Sequence, residues 1–180
     1  MALVVVPLVV VSGAPGTGKS TVARALGSGL GLTVVSLDEV KESLADSLGL
    51  GDDAWSNRLG DAAAAVMVRL LPDLRGAVLE GWWRRERRSL AQQAFPGALE
   101  VFCTCAPSTA AARTVQRIEA GVRHPIHRDV INVPHLPDVE AAVRDAVPLG
   151  LGAGLVRVDT DSGDALERAV ADVRSALAVR

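Results

Sequence analysis

The sequence predicts a single three-layer α/β/α domain, spanning residues 1–180, with a parallel five-stranded sheet. Three observations support this fold class. Short apolar segments alternate with stretches whose apolar residues recur at helical spacing, which is typical of βαβ units. The first apolar segment leads through a glycine-rich loop directly into a helix. The composition, with 49% hydrophobic and 22% charged residues, is that of one globular domain with its own core.

Five apolar runs are the predicted strands. The first, Leu8–Ser12, is continuously apolar up to its last residue and therefore predicts a strand buried on both faces. The four further candidates are Thr33–Leu37, Ala77–Glu80, Leu99–Cys103 and Leu155–Val158. Because helical stretches separate all five, we expect them to pair in parallel.

Three later segments predict amphipathic helices. In the segment 55–71 the expected buried stripe is Trp55, Leu59, Ala62, Val66 and Leu70. A second helix has its stripe at Val139, Ala142, Val143 and Ala146. The last helix has Leu166, Ala169, Val170, Val173 and Leu177.

A glycine-rich loop follows the first strand and matches the phosphate-binding pattern G-x-x-x-x-G-K-[ST] at every fixed position. Its residues are Gly13, Ala14, Pro15, Gly16, Thr17, Gly18, Lys19 and Ser20, with Thr21 directly after them. Glycines let successive backbone N–H groups turn toward a phosphate, and the helix that starts here adds the positive end of its dipole. We therefore expect this loop to bind ATP.

Two side chains of the loop have individual predicted roles. Lys19 would bridge the outer phosphates of ATP, and the Ser20 hydroxyl would bind Mg²⁺. Without a ligand, we expect Lys19 to face solvent and to add little to stability. The alternative is a glycine turn that matches by chance, and it is disfavoured because lysine occurs only at positions 19 and 41.

Composition excludes several classes of protein. The net charge of −2 argues against a general nucleic-acid binder, and no apolar run reaches the roughly 18 residues of a membrane span. The N-terminal residues have no basic region of the kind that begins a signal peptide. Cys103 and Cys105 are too close together to favour a disulfide, so we expect packed thiols and a reducing, cytoplasmic compartment. The oligomeric state stays open.

Two connections are longer than a crossover requires. The first, at about 38–76, holds two helical segments and is the predicted helical cover of the acceptor. The second, at about 119–137, is rich in arginine, histidine and proline and is the predicted arginine-rich lid. Long excursions from a compact α/β core often cover a substrate.

Two carboxylates are placed at the ends of predicted strands, at the sheet edge where parallel strands position their ligands. Asp38 would accept the proton of an attacking hydroxyl; the alternative is an N-cap for a helix that starts at Glu39. Glu80 would act through Mg²⁺ or hold the acceptor. Its alternative is an ion pair with the arginines that follow it.

Aromatic and cationic residues follow the third predicted strand. Trp82 and Arg84 could bind a ring-shaped or anionic acceptor. Since Trp82 and Trp83 are adjacent and cannot share an environment, one of them is expected in the core. The alternative for Arg84–Arg88 is a solvated helix face.

Arginines near the second excursion are candidates for binding the transferring phosphate. Arg117 and Arg123 would close over the nucleotide and neutralise charge as the phosphoryl group leaves. Arg113, on the same helix face as Arg117, and Arg128 are weaker candidates. The histidines of this region match no metal pattern and predict ordinary loop residues: His124, His127 and His135.

With these residues in view, the chain resembles the small P-loop kinases, of the shikimate, gluconate and chloramphenicol phosphotransferase type and the nucleoside-monophosphate kinase type. The segment from Arg117 to His124 looks like the start of an adenylate-kinase lid, which implies that Arg117 packs on adenine and Arg123 contacts phosphates. The segment Val35–Lys41 is similar to the acceptor strand of polynucleotide and small-molecule kinases, which implies that Asp38 takes the hydroxyl proton. Ser36 stands where shikimate kinases have a second Asp, which argues against shikimate itself.

The expected activity is ATP- and Mg²⁺-dependent phosphoryl transfer to a hydroxyl of a small molecule, either a metabolite or an antibiotic. One alternative is a kinase for the 5′-hydroxyl of a nucleoside or polynucleotide. Another, of a different class, is a nucleotide-binding regulatory ATPase without a phosphate acceptor.

Overall fold

The computed structural model describes residues 8–70, 76–84, 87–127 and 136–178. All five strands lie in one parallel sheet with the order β2-β3-β1-β4-β5. The strands are β1 Val9–Ser12, β2 Thr33–Ser36, β3 Ala77–Glu80, β4 Leu99–Thr104 and β5 Leu155–Asp159. The predicted α/β fold with a parallel five-stranded sheet is therefore confirmed.

Helices connect the strands. They are α1 Lys19–Leu30, α2 Leu37–Leu48, α3 Asp53–Leu70, α4 Arg88–Ala94, α5 Pro107–Glu119, α6 Leu136–Arg144 and α7 Ala165–Ala178, with a short 3-10 helix at Pro125–His127. Among the described residues, no helix has both the length and the apolar character needed to cross a membrane.

Both faces of β1 are buried, because side chains alternate across a strand. Val10 packs with Met67 and other residues of α2, α3 and α4. Val9 and Val11 pack on the opposite face with Leu26 of α1 and with α7. All three valines are completely inaccessible. This central strand holds the glycine loop at the edge of the sheet where the functional side chains gather.

The buried stripe of α3 differs from the predicted one. The buried residues are Ser56, Leu59, Gly60, Ala63, Ala64 and Met67. Of the predicted stripe only Leu59 is fully buried, whereas Ala62 is exposed and Val66 and Leu70 are 38% and 57% exposed. The four consecutive alanines at 62–65 give the helix apolar residues on every side. Periodicity alone therefore could not select the face.

Two smaller differences occur near the C-terminus. Helix α6 ends at Arg144, so Ala146 lies beyond it. In α7 the buried residues are Ala165, Ala169 and Val173, whereas Leu166 is 39% exposed. The small Ala165 takes the inward position at the start of this helix.

The predictions for the sulfur and tryptophan side chains are confirmed. Cys103 and Cys105 are buried free thiols. Trp83 is part of the core and packs edge-on against Phe95, with ring centroids 5.7 Å apart. Its neighbour Trp82 points instead into a cavity.

Candidate active site

The glycine loop has the backbone shape of a phosphate cradle. Gly13 and Gly16 have φ angles of 142° and 79°, which other residues rarely adopt. A Cβ atom at Gly13 would lie 2.5 Å from the Cys103 carbonyl oxygen, and one at Gly16 would lie 2.5 Å from the Ala110 carbonyl oxygen. Both positions therefore require glycine for conformational and for steric reasons.

Lys19 is the first residue of α1, and the expectation that it faces solvent is wrong. Its side chain is only 8% exposed, and Nζ donates a 2.9 Å hydrogen bond to the Ala14 carbonyl oxygen across the loop. Burial lowers the pKa of this amine, although the charges of Glu80 and Asp38 oppose the shift. The next residue, Ser20, has an exposed side chain at the same helix end. The loop thus combines a glycine cradle, a cation and a hydroxyl, which is the set of groups that a nucleotide phosphate with Mg²⁺ requires.

A cavity of about 510 Å³ opens beside the loop, within the size range of small-molecule sites. Its lining includes most of the residues that were predicted from the sequence to form the site: Pro15, Gly16, Lys19, Asp38, Trp82, Arg84, Arg117 and Arg123. The cavity therefore joins the predicted phosphate-binding, acceptor-binding and lid residues.

Asp38 lies in the first turn of α2, and neither local structure predicted for it is right. Strand β2 ends at Ser36, which occupies the N-cap position, so Asp38 neither ends the strand nor caps the helix. Its carboxylate accepts a 3.0 Å hydrogen bond from Arg123. Burial raises the pKa of this carboxyl, but the charges of His127, Arg123 and Lys19 outweigh burial and hold it below its usual value. Asp38 is therefore ionised at neutral pH.

The segment 123–127, which we call the lid segment, is fastened to α2 by three polar contacts. Its partners on α2 are spaced four residues apart and so share one helix face. The pairs are Arg123 with Asp38 at 3.0 Å, His127 with Glu42 at 2.7 Å and His124 with Asp46 at 3.1 Å. The sequence has acidic residues at every fourth position, 38, 42 and 46, and this pattern could have predicted a helix face that binds cationic side chains.

An apolar contact and a hydrogen bond from a side chain to the backbone complete the docking of the lid segment. Ile126 is 1% exposed and packs with Ala45 and Leu59. The Ser56 hydroxyl donates to the Ile126 carbonyl oxygen at 2.8 Å. The lid segment thus bridges the two helices of the predicted acceptor cover.

The lid histidines contact carboxylates as described, and within the described ranges no group of three or more histidine, cysteine or acidic side chains is arranged to hold a metal ion. His135 and Arg128 lie outside the described residues. His127 is the last residue of the short 3-10 helix Pro125–His127, and His124 directly precedes this helix.

Arg113 has a larger structural role than the sequence indicated. It donates to the Gly16 carbonyl oxygen at 3.4 Å and to Thr160 Oγ1 at 2.9 Å, just after β5. The Thr160 hydroxyl in turn donates to the Thr17 carbonyl oxygen at 3.1 Å. These bonds fasten the outer side of the phosphate loop. Thr160 was not among the predicted site residues, although it lies shortly after a predicted parallel strand, where ligand-binding side chains gather.

Arg117 lies one turn after Arg113, in the last turn of α5, and lines the cavity. Its guanidinium donates to Thr114 Oγ1 at 3.4 Å. Arg117 thus lines the same cavity as Pro15 and Gly16 of the phosphate loop.

Glu80 is buried at the end of β3, where it accepts a 2.9 Å hydrogen bond from Ser36 Oγ of the neighbouring strand. It is not among the described residues that line the cavity. Its charge nevertheless acts on Lys19, whose pKa it raises. Glu80 therefore lies beneath the site rather than in its wall.

Two of the described arginines after Glu80, Arg84 and Arg87, precede helix α4 and so are not part of a solvated helix face. Helix α4 begins only at Arg88, whose side chain donates to the Leu149 carbonyl oxygen. The Arg84 guanidinium lies over the Trp82 ring at 4.7 Å, and both side chains line the cavity. Arg87 forms an ion pair with Asp61 at 2.6 Å. Residues 85 and 86 lie outside the described ranges.

Comparison with known proteins agrees with this geometry. The family model described as AAA domain matches residues 8–133. Over 43 residues, 24% of this chain, the sequence is 54% identical to a cytidylate kinase of Ignicoccus hospitalis, and the match spans about a quarter (25%) of that relative.

Solved structures match nearly the whole chain. A candidate kinase from Chloroflexus aurantiacus is 28% identical, with a TM-score of 0.76 over 95% of this chain and 98% of that one. A gluconokinase from Sinorhizobium meliloti is 20% identical, with a TM-score of 0.60 over 97% and 93% of the two chains. A shikimate kinase from Acinetobacter baumannii is 17% identical, with a TM-score of 0.59 over 97% and 95%. The predicted resemblance to small P-loop kinases is confirmed in fold.

Proposed function

Since the chain belongs to the AAA domain family, we propose that it is an ATP- and Mg²⁺-dependent phosphotransferase that acts on a hydroxyl group of a small molecule. The observation that carries the proposal is the position of Asp38 on the wall of the cavity that also holds Lys19 of the phosphate loop. Phosphoryl transfer to a hydroxyl requires a cation that binds the phosphate and a carboxylate that accepts the hydroxyl proton. Lys19 and Asp38 are two such groups, and both line this cavity.

The phosphate loop and the start of α1 would hold the outer phosphates, with Lys19 neutralising their charge. The exposed Ser20 hydroxyl would hold Mg²⁺, which supplies further positive charge to the phosphates when bound. Arg117, beside the loop, would pack on the adenine. The two free thiols are compatible with a reducing, cytoplasmic compartment.

Asp38 would accept a hydrogen bond from the acceptor hydroxyl and direct its oxygen at the γ-phosphorus. As the new bond forms, the bond from phosphorus to the bridging oxygen of ADP breaks, and the hydroxyl proton passes to Asp38. A carboxylate with a lowered pKa is a weak base. A weak base is sufficient here, because in a loose transition state the hydroxyl proton need not be removed before the bond to phosphorus forms.

Arg123 would supply positive charge near the transferring phosphoryl group. Its hydrogen bond to Asp38 uses Oδ2, and a carboxylate can accept several hydrogen bonds. The contact is therefore compatible with acceptance of the substrate hydroxyl, and it holds the carboxylate in one orientation.

The test is ATP turnover by the full chain, with and without a panel of hydroxylated metabolites, nucleosides and antibiotics. The proposal expects ADP release to depend on one class of acceptor. In Asp38→Asn, ATP binding should persist while transfer falls by about 10²–10⁴-fold. Acceptor-independent ATP hydrolysis that is unchanged in Asp38→Asn would favour the regulatory ATPase instead, and 5′-phosphorylation of nucleosides alone would favour the nucleoside kinase.

A further inference from the structure

Two of the cationic side chains on the acceptor side of the cavity form no ion pair with a carboxylate of the described residues. Four cationic side chains of this side line the cavity: Lys41, Arg84, Arg87 and Arg123. Arg87 is paired with Asp61, and Arg123 is paired with Asp38. Two cations remain whose contacts are with neutral groups.

Those two contacts are well defined. Lys41 Nζ donates a 2.8 Å hydrogen bond to the hydroxyl of Ser56, and the Arg84 guanidinium lies over the ring of Trp82. Two further carboxylates line the cavity, those of Asp53 and Asp138. Across the described part of the chain, neither is ion-paired with Lys41 or Arg84.

Lys41 stands in a fixed relation to Asp38. The two residues are three apart on α2, so they share one face and are separated by about 4.5 Å along the helix axis. Burial lowers the pKa of Lys41, and so do the charges of Arg84, Arg123 and Arg87 around it, whereas Asp38 raises it. A half-buried amine among guanidinium groups is a costly arrangement, and an anion in direct contact with the amine would lower that cost.

We propose that the acceptor carries an oxyanion group close to its reactive hydroxyl, and that Lys41 and Arg84 bind this group. The inference rests on the proposed function and narrows its acceptor to hydroxylated acids or to phosphate and sulfate monoesters. Arg84 offers the planar fork that matches such groups, and its stacking on Trp82 holds that fork in place. Lys41 adds a second charge one helical turn from the carboxylate that orients the hydroxyl.

A neutral acceptor should be a poor substrate for the same reason. It would leave the half-buried Lys41 and the exposed Arg84 without an anion in direct contact, and sites built for a polar group discriminate strongly against analogues that lack it. We expect an acid and its uncharged amide, or a polyol phosphate and its free polyol, to differ by on the order of 10²-fold in kcat/KM.

The binding experiment uses protein saturated with a non-hydrolysable ATP analogue, so that the phosphate loop is occupied. Calorimetric titration then compares a panel of hydroxy acids and polyol phosphates with their uncharged counterparts. Charged members should bind more tightly, and Lys41→Gln and Arg84→Gln should each weaken them by about 10–100-fold, the effect of one charge-assisted hydrogen bond. Arg58→Gln is the matched control, because Arg58 lies over Trp55 at 5.0 Å but does not line the cavity.

The outcomes separate the two proposals. A charge preference that both variants reduce, without any ATP turnover, would support the oxyanion site and overturn the phosphotransferase. Turnover with no preference for charged acceptors would overturn the oxyanion site and leave the phosphotransferase intact. The oxyanion site is also overturned if charged and neutral members bind equally or undetectably. The same holds if Lys41→Gln and Arg84→Gln unfold like the wild type but keep its preference for charged members.

Discussion

Arg123 and Asp38 are 85 residues apart in the chain, and their side chains meet at 3.0 Å. The contact joins the lid segment to the helix that carries the proposed acceptor-orienting carboxylate. Two further pairs between the same elements, His127 with Glu42 and His124 with Asp46, continue the contact along α2. The position of the lid segment and the charge state of Asp38 are therefore coupled.

The first prediction concerns Arg123. Arg123→Ala should lower kcat by on the order of 10²-fold or more while weakening ATP binding much less, because its charge counts mainly as the phosphoryl group leaves. Steady-state kinetics and a direct measurement of the ATP Kd separate the two effects. Arg168→Ala, on an exposed surface of α7, is the control and should change neither. A loss confined to ATP affinity would make Arg123 a ground-state binder.

The second prediction concerns Lys19. Lys19→Met keeps a side chain of similar length in the buried position but removes the charge and the hydrogen bond to Ala14. Turnover should fall by at least about 10²–10³-fold, whereas the free energy of unfolding should drop by only about 1 kcal/mol for the lost hydrogen bond. Activity assays and urea denaturation test the two parts. Normal turnover in a folded Lys19→Met protein would refute the assignment of the phosphate site.

The third prediction tests the docking of the lid segment. Ile126→Ala removes the apolar anchor that packs with Ala45 and Leu59, at a cost of about 2–4 kcal/mol to the docked state. Hydrogen exchange of the backbone amides at 126 and 127 should become faster. The control is Val122→Ala, since Val122 is 71% exposed and should leave exchange unchanged. Equal effects of both substitutions would mean that Ile126 is not the anchor.

The fourth prediction is a pH dependence of stability. Burial and the neighbouring Arg123 charge lower the pKa of His127 below its usual value of 6.5. The unfolded chain therefore binds this proton more readily than the folded protein, and the stabilising contribution is present above about pH 6.5 and lost as pH falls below it. His127→Gln should flatten the decline in unfolding free energy between about pH 6.5 and pH 5.

Asp38 should not contribute to the decline in unfolding free energy between about pH 6.5 and pH 5. Its pKa is below the usual value of 3.8, so its contribution is present above that pH and is lost only at more acid pH. A wild-type curve that is flat down to pH 5, or identical in His127→Gln, would contradict the fourth prediction.

The fifth prediction concerns the thiols. Burial raises the pKa of Cys103 to about 12, and burial raises the pKa of Cys105 as well. At pH 8 almost none of Cys103 is present as thiolate, so iodoacetamide should leave this residue unmodified in the native protein. Mass spectrometry after labelling in denaturant, where both thiols should react, gives the reference. Rapid native labelling of Cys103 would contradict its burial.

Local patterns in the sequence determined the strands and the phosphate loop. Each of the five predicted strands lies within one residue of the observed bounds at either end, as Thr33–Leu37 does against Thr33–Ser36. Apolar runs and glycine spacing are short-range signals that depend little on the rest of the chain. The resemblance to small P-loop kinases rested on the same local signals and predicted the fold correctly.

Tertiary structure decided the contacts of the long polar side chains. The sequence did not show that Arg123 would meet Asp38, because the two residues lie on different connections between strands. Nor did it show that Arg113, between β4 and β5, would meet Thr160, which follows β5. Likewise, the burial of Lys19 and the inward face of α3 depend on which elements pack against them. Residue types determine which chemistry is available, but only the packing of distant segments determines which charged groups meet in one cavity.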